Sequence, residues 1–66
     1  MKLINHLKEY RQHAGLTQAA LAELVIVSRK TINTVENGVF IPSTVLALKL
    51  AVALDATVES LFELPE

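Results

Sequence analysis

Ser28, Arg29, Lys30, Asn33, Thr34 and Asn37 fall in one short stretch; every one can donate a hydrogen bond, and none is acidic. From Arg29 onward they recur at the one-, three- and four-residue steps that share a helix face. Donors on such a face suit phosphate oxygens and base edges in a DNA groove, and the arginine fork in particular matches guanine O6 and N7. Gln18 stands near the start of the preceding apolar run, where the free amides of a helix N-terminus favour an anion. Other chemistries find little support. There is no cysteine, and His6 and His13 share one helical face with no third metal ligand beside them. Serine, histidine and carboxylate residues show no triad spacing, and neither a glycine-rich phosphate loop nor a paired-acid cleft is visible. The expectation is a binding protein with no metal and no cofactor, and not an enzyme.

Five short helices would position these residues. The first is expected from about Ile4 to Ala14, with Leu3, Leu7, Tyr10 and Ala14 as its inner stripe and Gly15 as a left-handed stop. Thr17 has the hydroxyl of an N-cap and opens the second helix, Gln18 to Leu24; Ser28 opens the third, Arg29 to about Asn37, which stops at Gly38. Ala22 is small enough for close helix approach, and Leu21, Val25, Val27, Ile32 and Val35 supply the apolar contacts of a helix-turn-helix over residues 18–37. Ser43, after Pro42, caps the fourth helix, Thr44 to Leu54. That helix is apolar nearly all round, which predicts burial on more than one side. Thr57 caps the last, Val58 to Phe62, and Glu63 to Glu66 is expected to pair as a short strand with Lys2 to Ile4.

At 66 residues the chain makes one domain, residues 1–66, and buries only about 60% of its unfolded surface, so oligomerisation is expected. Without disulfides its stability must come from packing, and the lack of cysteine favours an intracellular address. Hydrophobic residues make up 52% and mean hydropathy is +0.41, too apolar for disorder, yet no apolar run approaches the roughly 20 residues of a membrane span. Met1 to His6 lacks the features of a signal peptide, so the expected location is the cytoplasm, with no membrane partner. The net charge is only −1, but it is unevenly spread: all six basic residues lie within residues 1–49, whereas residues 50–66 hold Asp55, Glu59, Glu63 and Glu66. One part can face a polyanion while the acidic end points away.

The stretches Gly15-Leu16-Thr17-Gln18, Leu21-Ala22-Glu23-Leu24, Val27 to Asn33, Val35-Glu36-Asn37-Gly38, Pro42-Ser43, Ala47 to Ala51 and Leu61-Phe62 occur in an order that resembles the phage-repressor and Cro-type (XRE) helix-turn-helix family across nearly the whole chain. The resemblance implies an all-α, five-helix, lambda-repressor-like DNA-binding domain that dimerises on a palindromic operator. It implies a phosphate clamp at Gln18, base reading by Arg29, Lys30 and Thr34, a second phosphate contact at Asn37, and an ion pair between Arg11 and Glu36. Departures from the family pattern are also visible. Ile26 and Asp55 stand where glycine is frequent, Val39 where a phosphate-touching lysine is common, and Ile41, Val45 and Val52 where polar residues are usual.

The expected role is a sequence-specific transcriptional regulator, a homodimeric repressor on double-stranded DNA. Val45 and Val52, two turns apart on one helix face, are expected in the dimer interface with Leu61, Phe62 and Leu64. A protein-interaction module, such as an antitoxin-like or anti-regulator subunit with a protein partner, is the alternative.

Overall fold

A hydroxyl begins four of the five helices. In the computed structural model, which describes residues 3–65, Thr17 Oγ1 accepts from the Ala20 amide at 3.0 Å, and Ser28, Ser43 and Thr57 do the same for Thr31, Leu46 and Ser60. Each bond satisfies one of the amides a helix start leaves without an intrahelical partner. They open α2 (Gln18–Val25), α3 (Arg29–Glu36), α4 (Thr44–Ala53) and α5 (Val58–Leu61) at the expected positions. Gly15 and Gly38 adopt φ of +74°, the left-handed conformation expected after the first and third helices.

The first helix differs from expectation. α1 spans Leu7–His13, because Ile4–Asn5 forms a strand, β1, that pairs antiparallel with β2 (Phe62–Glu63), Ile4 opposite Glu63 and Asn5 opposite Phe62. The terminal pairing exists, but further inward than the Lys2–Ile4 and Glu63–Glu66 ladder expected; Lys2 and Glu66 lie outside the described residues. Asn5 ends the strand and starts the helix: its Oδ1 accepts from the Leu7 amide and its Nδ2 donates to the Val35 carbonyl. The inner face of α1 is Leu7 and Arg11, whereas Tyr10 and Ala14 are exposed. An ion pair turns Arg11 inward, and a purely apolar reading of the stripe misses it.

Leu7, Leu21, Ile32, Val35, Leu50 and Leu61 form the fully buried centre of the core. Phe62 joins them at 8% exposure, since strand alternation turns it in and Glu63 out. Leu61 and Phe62 are therefore core residues of the single chain, which corrects their assignment as dimer anchors. α4 also departs from expectation. Only the Leu46, Ala47, Leu50 and Ala51 face is buried, against α2 and α5, while Val45, Leu48 and Val52 remain exposed. No element among the described residues covers them. Among the described residues no helix is long and apolar enough to cross a membrane.

Two other residues occupy the left-handed region, Ile26 (φ 59°) and Asp55 (φ 53°), both at positions where the family resemblance leads one to expect glycine. A β-branched side chain there is strained by about 1–2 kcal/mol, and glycine would return part of that through greater freedom of the unfolded chain. Ile26→Gly is expected to stabilise the dilute protein by about 1 kcal/mol, raising its melting temperature by about 4–8 °C. A fall measured by circular dichroism would show that Ile26 supports the isolated fold by packing.

His6 closes the strand pair from outside. Its Nδ1 lies 3.1 Å from Glu9 Oε1 and its Nε2 2.9 Å from Glu63 Oε2. Hydrogen bonds to Glu9 and then Glu63 raise the ring above its ordinary value of 6.5. A raised folded-state value means that the clip contributes fully below pH 6.5 and is lost as pH rises through the folded value. The melting temperature should therefore fall slightly as pH rises through that window, and His6→Ala should flatten the fall.

Candidate nucleic-acid interface

α2 and α3 are joined by Ile26, Val27 and Ser28. The left-handed Ile26 reverses the chain, and the Val27 amide donates to the Ala22 carbonyl at 3.0 Å, locking the turn to the end of α2. Ala22, 3% exposed, allows the close approach, and Leu21, Val25, Ile32 and Val35 fill the contact as expected. The helix-turn-helix is thus fixed by packing on one side of α3.

The other side of α3 carries the polar set. Arg29, Lys30, Asn33 and Asn37 are exposed, Thr34 is half-buried, and Ser28 is exposed at the cap. Among the described residues neither Arg29 nor Lys30 is in an ion pair. Ser28 Oγ is engaged with the Thr31 amide and hydroxyl, and the Thr34 hydroxyl donates to the Thr31 carbonyl at 2.9 Å. Asn37 Nδ2 donates to Asn33 Oδ1 at 2.8 Å, which occupies the Asn33 oxygen and leaves its NH2 group, on an exposed residue, as the donor end. Thr34 can thus offer oxygen lone pairs, Ser28 keeps a proton to donate when the Thr31 hydroxyl is the donor of their shared bond, and Arg29, Lys30 and Asn33 offer donors.

Glu36 is the single acid on α3, and its charge is neutralised inside the protein. Arg11 Nε donates to Glu36 Oε2 at 2.6 Å and Nη2 donates to Oε1 at 3.2 Å, with the two side chains only 10% and 2% exposed. Arg11 Nη1 also donates to the Leu16 carbonyl at 2.8 Å. The outward face of α3 is left with positive charge only. Gln18, half-buried at the first position of α2, donates from Nε2 to Glu36 Oε1 at 3.1 Å. Its Oε1 and second N–H stay available, beside the open amides of the α2 N-terminus. One buried carboxylate therefore sets the relation of α1, α2 and α3.

Sequence reasoning missed two contributors. Asn5 ties the end of α3 to the first strand, and an asparagine just before a helix start was its only signal. The loop after α3 is the other. Val39 and Phe40 amides both donate to the Thr34 carbonyl, holding exposed Val39, Phe40 and Ile41 next to the polar face. Val45, Val52 and Leu64 are exposed, on α4 and the tail, apart from the polar face of α3.

Comparison with known proteins agrees with this geometry. The Helix-turn-helix family model matches residues 7–61. The chain is 40% identical over 62 residues to YgzD of Bacillus subtilis strain 168, an uncharacterized HTH-type transcriptional regulator, covering 94% of each chain. It superposes on the restriction-modification controller protein C.AhdI of Aeromonas hydrophila with a TM-score of 0.77 and 41% identity over 82% of each chain. It also superposes on SinR, a master regulator for biofilm formation in complex with DNA, with a TM-score of 0.78 and 27% identity over 83% of this chain and 89% of that one. A helix-turn-helix locked on one side, cationic and donor-rich on the other, and shared with these regulators over most of the sequence places the chain in the phage-repressor and Cro-type (XRE) helix-turn-helix family of DNA-binding transcriptional regulators.

Proposed function

We propose that residues 1–66 act as one DNA-binding unit in the cytoplasm, a homodimer that occupies a palindromic operator and represses by covering a promoter. α3, from Arg29 to the Asn37 cap, enters the major groove. Arg29, Lys30, Asn33 and Thr34 meet base edges and nearby phosphates, while Gln18, Ser28 and Asn37 meet the backbone. The observation that carries this reading is the outward face of α3, where Arg29 and Lys30 stand without an acidic partner among the described residues because Arg11 holds Glu36 inside. SinR, seen on DNA, has the same fold over most of its chain.

A palindromic operator offers two half-sites about 34 Å apart, and a chain with one recognition helix reads one of them, so this reading takes two copies. Val45, Val52 and Leu64, all exposed, are the dimer anchors that remain once Leu61 and Phe62 are assigned to the core. Burying each valine contributes about 1.5–3 kcal/mol. Val52→Glu removes that gain from both copies and adds a charge to desolvate. It is expected to weaken dimerisation by about a hundredfold or more and to weaken operator binding with it. Sedimentation of the variant as a wild-type-like dimer would exclude Val52 from the interface.

Selection of bound sequences from a random duplex library tests the reading as a whole. The expected result is an inverted repeat, bound with an affinity that falls steeply with salt. The alternative, a protein-interaction module, draws on the same exposed valines. It would show co-purification with a larger protein and no affinity for any duplex.

A further inference from the structure

The α2–α3 turn and α4 enclose a groove of about 460 Å³ whose walls include Leu24, Ile26, Val45, Leu48 and Val52. All five are more than half exposed, Ile26 at 81% and Val52 at 82%. The groove has one charged wall residue, Lys49, which is in no ion pair among the described residues. Across α4 lies a second groove of about 510 Å³, walled by Ile41, Leu48, Val58 and Leu64 among others, and among the described residues its one charged wall residue is Glu59. Leu48 belongs to both. Ile26 meanwhile carries two penalties in the isolated chain, a left-handed backbone under a β-branched side chain and an apolar side chain in water.

We propose that a second copy of the chain seats on this surface about a two-fold axis passing beside Leu48, burying Ile26 as an anchor and setting Lys49 against the partner's Glu59. The proposal deepens the homodimer reading and rests on it. In a two-fold interface, features on opposite sides of the axis face one another, so the surface must be complementary to itself. The two grooves meet that requirement: both are apolar, they flank a shared leucine, and one holds a cation where the other holds an anion.

The surface also has a consequence for regulation. Ile26 is the reversing residue of the helix-turn-helix, so a partner packed on it restrains the turn that presents α3. Assembly and the geometry of DNA binding are then linked through one residue, and dilution loosens both.

Sedimentation equilibrium of the full chain and four variants tests this, with circular dichroism to establish that each is folded. The wild type is expected to dimerise at micromolar concentration. Ile26→Gly should melt higher than wild type when dilute, yet dimerise about tenfold more weakly. Lys49→Glu and Glu59→Lys should each weaken dimerisation by about tenfold, as placing like charges face to face does. The double variant Lys49→Glu/Glu59→Lys should return to within about threefold of wild type. Recovery in the double variant supports the pairing of the two grooves; single losses without recovery overturn it. A wild-type dimer indifferent to all four variants means that the copies pair elsewhere, which overturns the inference and leaves the homodimer reading standing. A wild type that stays monomeric overturns both, while salt-dependent duplex binding, measured separately by fluorescence anisotropy, still reports on DNA recognition.

Discussion

Glu36→Ala is expected to cost about 3–5 kcal/mol, a large share of the protein's total stability. The carboxylate accepts two bonds from Arg11 and one from Gln18, and its side chain is 2% exposed. Removing it strands a guanidinium that is itself only 10% exposed, and an unpaired buried charge is more costly than the pair is stabilising. At about 0.05–0.15 kcal/mol per residue, a chain of 66 residues has a total stability of only about 3–10 kcal/mol. Urea denaturation of wild type and variant measures the difference. Arg11→Met combined with Glu36→Leu separates charge burial from packing: with neither charge left to desolvate, much of the lost stability should return. A loss below about 1 kcal/mol for Glu36→Ala would mean that the pair behaves as a solvated surface bridge.

This network also marks the boundary of what the sequence discloses. The caps at Thr17, Ser28, Ser43 and Thr57 are legible because each needs only a hydroxyl and an amide three residues on. The polar face of α3 is legible because helical period alone separates Arg29, Lys30 and Asn33 from Ile32 and Val35. The start of α1 is not, since it depends on the register of the terminal pairing, residues 4–5 with 62–63 rather than the expected 2–4 with 63–66, which no local pattern fixes. The same pairing turned Phe62 from an expected interface anchor into a core residue. α4 is uninformative for a different reason: when Val45, Leu46, Leu48, Leu50 and Val52 are all apolar, composition cannot say which face the chain covers. Partners within the site are also hidden. That Asn33 binds Asn37, and that Gln18 reaches the carboxylate shared with Arg11, follow from side-chain placement.

Arg29→Ala is expected to lower operator affinity by about 2–6 kcal/mol while leaving the fold intact. Each bidentate arginine–guanine contact contributes about 1–3 kcal/mol of discrimination, and a two-fold dimer makes the contact once in each half-site. The fold should not suffer, because Arg29 is exposed and, among the described residues, in no ion pair. It sits at the positive end of the α3 dipole, where a cation is mildly unfavourable, so alanine should keep or slightly raise the melting temperature. Opposite signs for stability and binding distinguish loss of a contact from loss of structure. The position read by Arg29 should also lose its preference: selection from a random duplex library with the variant should return the same inverted repeat with one relaxed base pair in each half. Lys30→Ala gives the contrast if Lys30 lies on phosphate, with weakening that is uniform across sequences and a salt dependence reduced by about one ion per contact. Should Arg29→Ala instead weaken specific and random duplexes equally, Arg29 is a backbone contact, and base reading passes to Asn33 and Thr34 further along α3.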